Sequence, residues 1–232
     1  MKNGSVLVLG RGASLEHINL VPDVDEFVIA NAFSDELAYD KISDKVSDKP
    51  VSQIISMGIF NAKHPNGFSF FGAMVADGCY KKFNFQKIIK AYVTECLPND
   101  HNAYQQLYNL RNCNDKIIPV TNMNDIHKPY MISAPRYPYT YPSVGMHSIA
   151  YATLELKKKD VHIIGIDFYD DVGYLFDKGV DFETQMRRSK PEAQIMRDWL
   201  TGFMAKHQDT NFLIYTKSDY NFLAENVKIT RV

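Results

Sequence analysis

The segment IIGIDFYDDVGYLFD, residues 163–177, puts a carboxylate, Asp167, and two phenols, Tyr169 and Tyr174, directly after an apolar run. A phenol is a neutral donor near pH 7. Two such donors can hold the negative charge that grows on a departing phosphate, without a metal ion. Asp167 could accept from ribose or base donors, and Gly165 lets backbone approach a ligand closely. The plainer reading is that the phenols pack as partly buried aromatics, as tyrosines commonly do.

Three further stretches carry groups of the same kind. GRGASL supplies Gly10, Arg11, Gly12 and Ser14 at the start of a helical stretch, where glycines permit a tight turn and free amides favour an anion. A dinucleotide fingerprint would need a third small residue and an acidic side chain about twenty residues on. Leu15 occupies the third position and the next strand ends in Asn31, which disfavours a nicotinamide cofactor and leaves a mononucleotide open. Taken alone, GRGASL is as well explained by a structural turn. The amide of Asn31 suits a base or ribose, or else caps the helix expected from Ser34. Ser143 and Gly145 open another helix, where a hydroxyl that caps the helix can also face phosphate.

These groups must be positioned by the elements around them. Residues 5–10, 26–31, 51–57, 87–93, 115–120, 160–167, 211–216 and 226–232 read as strands. Helices are expected over 14–21 with Ser14 as N-cap, from Ser34, over 101–112, from Ser143 and over 192–207. In the helix from Ser143, the spacing of Met146, Ile149, Ala150 and Leu154 predicts a core-facing stripe. The run Asn61–Gly72 reads as a loop and 121–142 as irregular. Strands alternating with helices predict an α/β, Rossmann-like fold: a mostly parallel sheet with helices on both faces. Ligands in such folds sit beyond the carboxyl ends of the strands, where these residues lie. The whole chain, 1–232, reads as a single α/β domain.

Composition narrows the partners. The formal net charge of −1, with no long basic stripe, argues against nucleic acid. The densest basic run, Lys157–Lys159, reads as a solvated turn at a helix end. Cys79, Cys96 and Cys113 match no zinc or redox spacing and read as free thiols of a reducing compartment. The opening residues lack the apolar run of a signal peptide, and no stretch is apolar enough to span a bilayer. These features point to a cytoplasmic protein and leave peripheral membrane contact and self-association open.

Taken in order, the motifs resemble the bacterial sialyltransferase family that acts on lipooligosaccharides. Members move sialic acid from a CMP donor to a galactose-type acceptor. GRGASL matches the family's G-N-G-P-S-L at four of six positions, and ANAF keeps Asn31 and Phe33 of its C-N-Q-F. SVG resembles its T-S-G, and GIDFY followed by YLFD resembles its most specific pair of segments. The resemblance implies that Tyr169 and Tyr174 hydrogen-bond the phosphate of departing CMP. It implies that Gly10, Arg11, Gly12, Ser14, Asn31, Ser143, Gly145, Gly165 and Asp167 hold the donor nucleotide. It further implies that the chain is one nucleotide-sugar-binding domain with a small lid over 175–191. The reaction it implies is inverting displacement with no metal ion and no cofactor beyond the CMP-sugar itself, and a glycan acceptor. No D-x-D metal motif stands at a suitable place, because DVD at 23–25 precedes a strand.

The departures are specific. Arg11 replaces a family asparagine, a second asparagine position falls near Met57, and Arg136 lies a few residues before the family's arginine. The family's lid histidine, which deprotonates the acceptor, corresponds to Arg188 in RRSK. Arginine stays protonated and cannot act as that base. Asp181 or Glu183 could act instead, whereas His147 lies within a core-facing helix. The chain does not end in the basic tail that anchors some members to membranes. Two other readings therefore stand beside the first: a different nucleotide-dependent transferase on this fold, and a nucleotide-binding relative without turnover.

Overall fold

A computed structural model of the chain describes residues 3–31, 33–56, 70–91, 120–122, 132–134, 137–140, 143–168, 173–176 and 190–232. The expected helix at 101–112, most of the lid, and Met57, Cys96, Cys113, Arg136, Tyr169, Asp181, Glu183 and Arg188 lie outside them.

The strands are β1 (Ser5–Leu9), β2 (Glu26–Ala30), β3 (Val51–Ser56), β4 (Phe85–Ala91), β5 (Val120–Asn122), β6 (Ile132–Ala134), β7 (Tyr137–Thr140), β8 (Asp160–Ile164), β9 (Asn211–Thr216) and β10 (Val227–Arg231). A 3-10 helix spans Ala13–Leu20. The α-helices are α1 (Ser34–Ala38), α2 (Asp40–Val46), α3 (Phe70–Ala76), α4 (Cys79–Lys82), α5 (Val144–Leu154) and α6 (Lys190–Lys206).

Eight strands form one sheet in the order β10-β9-β8-β1-β2-β3-β4-β5. Every pairing in it is parallel. The expected Rossmann-like α/β architecture is the one observed. Alternate residues of β1 go to opposite faces, as strand geometry requires. Leu7 and Leu9 join a core with Leu15, Ile18, Leu37, Ile42, Val46 and Met74. Val6 and Val8 join a second core with Met146, Ile149, Met196, Leu200 and Phe203. The sheet is therefore covered on both sides, and each fully buried aliphatic side chain contributes roughly 1.5–3 kcal/mol.

Several expectations need correction. The helix after GRGASL is a 3-10 helix whose N-cap is Gly12, not Ser14. Ser14 instead turns its hydroxyl inward, as described below. The helix from Ser34 breaks at Tyr39 (φ −85°, ψ 120°), which gives α1 and α2. Its N-cap is Phe33, so Asn31 does not cap it. Phe70–Gly72, read as loop, open α3. The strand read at 115–120 is observed as Val120–Asn122, pairing with β4, and its earlier residues lie outside the described ones. Part of the irregular stretch is an antiparallel pair, β6 with β7. Its proline-rich composition hid the pairing of Ile132 with Thr140 and Ala134 with Tyr137.

Helix α5 starts where expected, with Ser143 Oγ accepting from Met146 N at 3.4 Å. It is buried on nearly every side from Val144 to Thr153 and not only along the expected stripe. Lys158, read as part of a solvated turn, forms an ion pair with Glu26 at 2.7 Å. Asp23 and Asp25 of DVD lie before β2, at the far end of the sheet from the strand tips discussed next. Asp23 pairs with Lys49 and Asp25 accepts from Ser5 N. No helix among the described residues is long and apolar enough to cross a membrane.

Candidate functional site

The strand order reverses at β1. From there β2 to β5 run to one side and β8 to β10 to the other. In open α/β sheets the ligand site lies beyond the carboxyl ends of the strands at such a switch point. GRGASL follows β1 and GIDFY follows β8, so the two motifs meet there although some 150 residues separate them in the chain (Ser14 and Asp167 are 153 apart).

Their contact is made of backbone. Gly10 N donates to Ile164 O at 2.8 Å, and Gly12 N donates to Gly165 O at 2.7 Å. A side chain on Gly10 would run into the Gly165 carbonyl, and one on Gly165 into the Gly10 carbonyl. Gly165 also has φ +71°, in the region that glycine alone enters freely. The first task of these glycines is thus to let two loops pass each other.

Two polar side chains lock that crossing. Ser14 is fully buried and its Oγ accepts from Gly165 N at 2.9 Å. Asp167 is nearly buried. Its Oδ2 accepts from Ser14 N at 3.1 Å, and its Oδ1 accepts from Thr216 Oγ1 at 2.9 Å and Lys217 N at 3.1 Å. One carboxylate therefore ties the ends of β1, β8 and β9 together. These three protein donors engage both oxygens that the sequence reading assigned to a ribose or base.

Phe168, next in the chain, has φ +52°. A bulky residue in the left-handed region is strained, and such strain clusters at functional turns. Phe168 is held by its edge contact with Phe222, centroids 4.6 Å apart, and by Arg197 Nε donating to its carbonyl at 2.7 Å. This kinked turn redirects the chain immediately before Tyr169. Tyr169 itself lies outside the described residues.

Tyr174 is half-buried and forms an antiparallel bridge with Gly12. Ala13 N donates to Gly173 O at 3.2 Å, and Leu175 N donates to Arg11 O at 3.0 Å. The segment around Tyr174 is therefore laid across the glycine loop. The Arg11 guanidinium stands 5.5 Å from the centre of its ring. Arg11 Nε also donates to Glu36 Oε1 at 3.0 Å, in a pair exposed by only 6% and 0%.

Asn31 follows β2 with φ +68°, a conformation its short amide side chain tolerates better than most. Gln53 Nε2 donates to the Asn31 carbonyl at 2.8 Å, and Tyr80 OH donates to Gln53 Oε1 at 2.6 Å. Burial raises the Tyr80 phenol well above its ordinary pKa, so it stays a donor to Gln53. At α5, a side chain on Gly145 would come within 3.1 Å of Ile166 Cδ1, so the helix start abuts the loop after β8. Gly10, Arg11, Gly12, Ser14, Gly165, Asp167 and Tyr174 thus meet directly. Gly145 adjoins them through Ile166, Ser143 caps the same helix start, and Asn31 lies one strand away.

Sequence reasoning missed Glu36, Gln53, Thr216 and Lys217. Thr216 and Lys217 stand at the end of β9, where the strand-end rule would have found them. Glu36 and Gln53 carried no motif. Among the described residues, no three His, Cys, Asp or Glu side chains gather as metal ligands.

No family model matches the chain, and no curated protein matches it. Solved structures do. The chain is similar to the sialyltransferase CstII from Campylobacter jejuni in complex with the substrate analogue cytidine-5'-monophosphate. The TM-score is 0.60 at 16% identity, covering 97% of this chain and 85% of that one. It is similar to sialyltransferase CST-II in complex with a trisaccharide acceptor and CMP, at TM-score 0.55 and 16% identity, covering 90% and 80%. A CstII complex with CMP-3FNeuAc gives TM-score 0.54 at 16% identity, covering 92% and 81%. At these identities the chain shares the fold of those enzymes over most of its length.

Proposed function

We propose that this chain is a glycosyltransferase of the sialyltransferase type, moving sialic acid or a related acidic sugar from a CMP-activated donor to a glycan acceptor. The observation that supports it best is the meeting of GRGASL, GID and Tyr174 at the β1/β8 switch point, with the SVG helix start beside them. The fold shared with CMP-bound CstII agrees with it.

In this reading the nucleotide lies over the glycine crossing, between Asn31 on one side and the α5 start on the other. The start of α5 offers a phosphate backbone amide donors and the positive end of the helix dipole. An acceptor hydroxyl attacks the anomeric carbon while the carbon–oxygen bond to the donor phosphate breaks. The phosphate leaves with the bonding pair, and configuration inverts. Tyr174, with Tyr169, donates to the phosphate oxygens as charge grows there, which removes the need for a divalent ion. The acceptor proton goes to a lid carboxylate, Asp181 or Glu183, because Arg188 cannot take it. The acceptor is a glycan of the lipooligosaccharide kind. A cytoplasmic setting fits Cys79, whose thiol burial pushes up to about 12, leaving it a packed and unreactive group.

The test is CMP release from CMP-sialic acid, with a galactose-terminated acceptor and EDTA throughout. Wild type should turn over. Tyr169→Phe with Tyr174→Phe should lose roughly 100-fold or more in kcat while CMP affinity holds within a fewfold. Unchanged turnover in the double variant would end the assignment of the phenols. The engagement of Arg11 by Glu36 favours one alternative, a transferase for a different activated sugar. A preference for UMP, GMP or CDP over CMP in calorimetry would select it.

A further inference from the structure

Arg11 sits in the glycine loop, where a phosphate ligand would be placed, and its side chain is engaged within the fold. Its Nε is fixed 3.0 Å from Glu36, which no solvent reaches. Its guanidinium lies 5.5 Å from the Tyr174 ring centre. Its own carbonyl accepts from Leu175 N, and its neighbour Gly12 bridges Tyr174. Helix α1 holds the same segment a second time, because Tyr39 at its end meets Phe176 edge-on, centroids 5.9 Å apart. Side chain, backbone and α1 thus converge on the four residues 173–176.

From this geometry we propose that Glu36 and Arg11 form a clamp that positions Tyr174. Glu36 orients the guanidinium, and the guanidinium holds the phenol ring against the glycine loop so that its hydroxyl faces the nucleotide phosphate. The last step rests on the proposed transferase reading; the clamp itself does not. Arg11 is on this view a positioning residue and not a phosphate ligand. A buried carboxylate that fixes the arginine is what separates the two roles. Here Nε donates to Glu36 and the guanidinium stands over the Tyr174 ring, two contacts that fix the side chain within the fold.

Removing one member of a buried pair strands a charge and can unfold the protein. The informative variant is therefore Arg11→Met with Glu36→Leu, an apolar replacement that buried pairs commonly tolerate. 3-Fluorotyrosine placed at position 174 reports the ring by fluorine NMR without any ligand. In wild type it should give one resonance displaced from the free amino acid; in the double variant the resonance should collapse toward the free value. Turnover of CMP-sialic acid should fall roughly 10- to 100-fold, with KM for that donor within about twofold. In a Tyr174→Phe background the same double substitution should cost almost nothing more, because the group it positions is gone. Arg11→Lys, which keeps the charge and loses the plane, should show the same fluorine change if the double variant does not fold.

An unmoved fluorine resonance in the folded double variant would overturn the clamp. So would a loss confined to CMP affinity with kcat unchanged, which would make Arg11 a phosphate ligand. If wild type releases no CMP, the transferase reading fails, and the fluorine comparison still decides the clamp.

Discussion

At the scale of single residues, the polar groups divide by what they hold. Asp167 illustrates the division. A carboxylate after the central strand looks like a ligand group in sequence, yet its oxygens are engaged by Ser14 N, Thr216 Oγ1 and Lys217 N. What the structure shows of Asp167 is that it fixes the loops after β1, β8 and β9 to one another. His162 belongs to the same class of buried polar groups and has a measurable consequence. It lies in β8, 5% exposed, with Nδ1 at 3.4 Å from Tyr215 OH. Burial lowers its pKa below the ordinary 6.5; Asp160 opposes that shift and Lys45 adds to it. The folded chain therefore holds this ring neutral, while the unfolded chain protonates it below 6.5. Between the depressed folded value and 6.5 the unfolded state binds more protons, so stability falls as pH falls through that window and is complete above it. Urea unfolding at pH 7.5 and 5.5 should show wild type losing more stability on acidification than His162→Phe. The excess is bounded by about 1.4 kcal/mol per pH unit. Parallel pH profiles for the two proteins would show that His162 titrates alike in both states.

At the scale of elements, the site is built from the crossing of two loops. Gly10 and Gly165 face each other there with no room for a Cβ on either, and Gly165 has φ +71°. Gly165→Ala should therefore do two things at once: strain its own backbone by about 1 kcal/mol or more and push the loops after β1 and β8 apart. A drop in Tm together with loss of CMP binding is the expected pair of effects. Gly173→Ala is the control, since a side chain there meets nothing within 4 Å although its φ is also +71°. Equal damage from both substitutions would mean that backbone strain alone matters and that the crossing is not under pressure. This crossing was half legible in the sequence. Both glycine motifs stood out, because strand ends in a parallel sheet are where such residues gather. Their reading as ligand contacts missed that they first serve each other, a long-range fact that local pattern does not carry. The same limit explains Glu36 and Gln53. Each sits in an ordinary amphipathic or apolar segment, and only the fold brings Glu36 to Arg11 and Gln53 to Asn31. The helix break at Tyr39 was likewise hidden, since SDELAYDKI has helical composition throughout. By contrast Ser143, whose hydroxyl caps α5 as read, needed only three residues of context.

At the scale of the whole molecule, the alternation of strand and helix sufficed to give the parallel sheet, because nearly continuous apolar strands admit few other burials. The order of the strands did not follow from alternation. It is the return of β8 to the free side of β1 that brings otherwise separate loops together at the candidate site. Such a site is held open by contacts between distant segments, so a ligand spanning it should stabilise the fold as a unit. Binding to the folded state alone adds about 2.7 kcal/mol when ligand is at 100 times its Kd. For a domain of this size each kcal/mol raises Tm by about 2–4 °C, so CMP at that excess should raise it by roughly 5–11 °C in EDTA. UMP, GMP and NAD at equal concentration should shift it far less. NAD is the sharpest comparison, because Leu15 is fully buried where a third small residue would stand and Asn31 follows β2 where an acidic side chain would be needed. A CMP shift that disappears in Gly165→Ala and survives in Gly173→Ala would locate the nucleotide at the β1/β8 crossing. A shift that survives in both would place it elsewhere on the sheet edge, and one larger for UMP or GMP would assign the crevice to a different activated sugar.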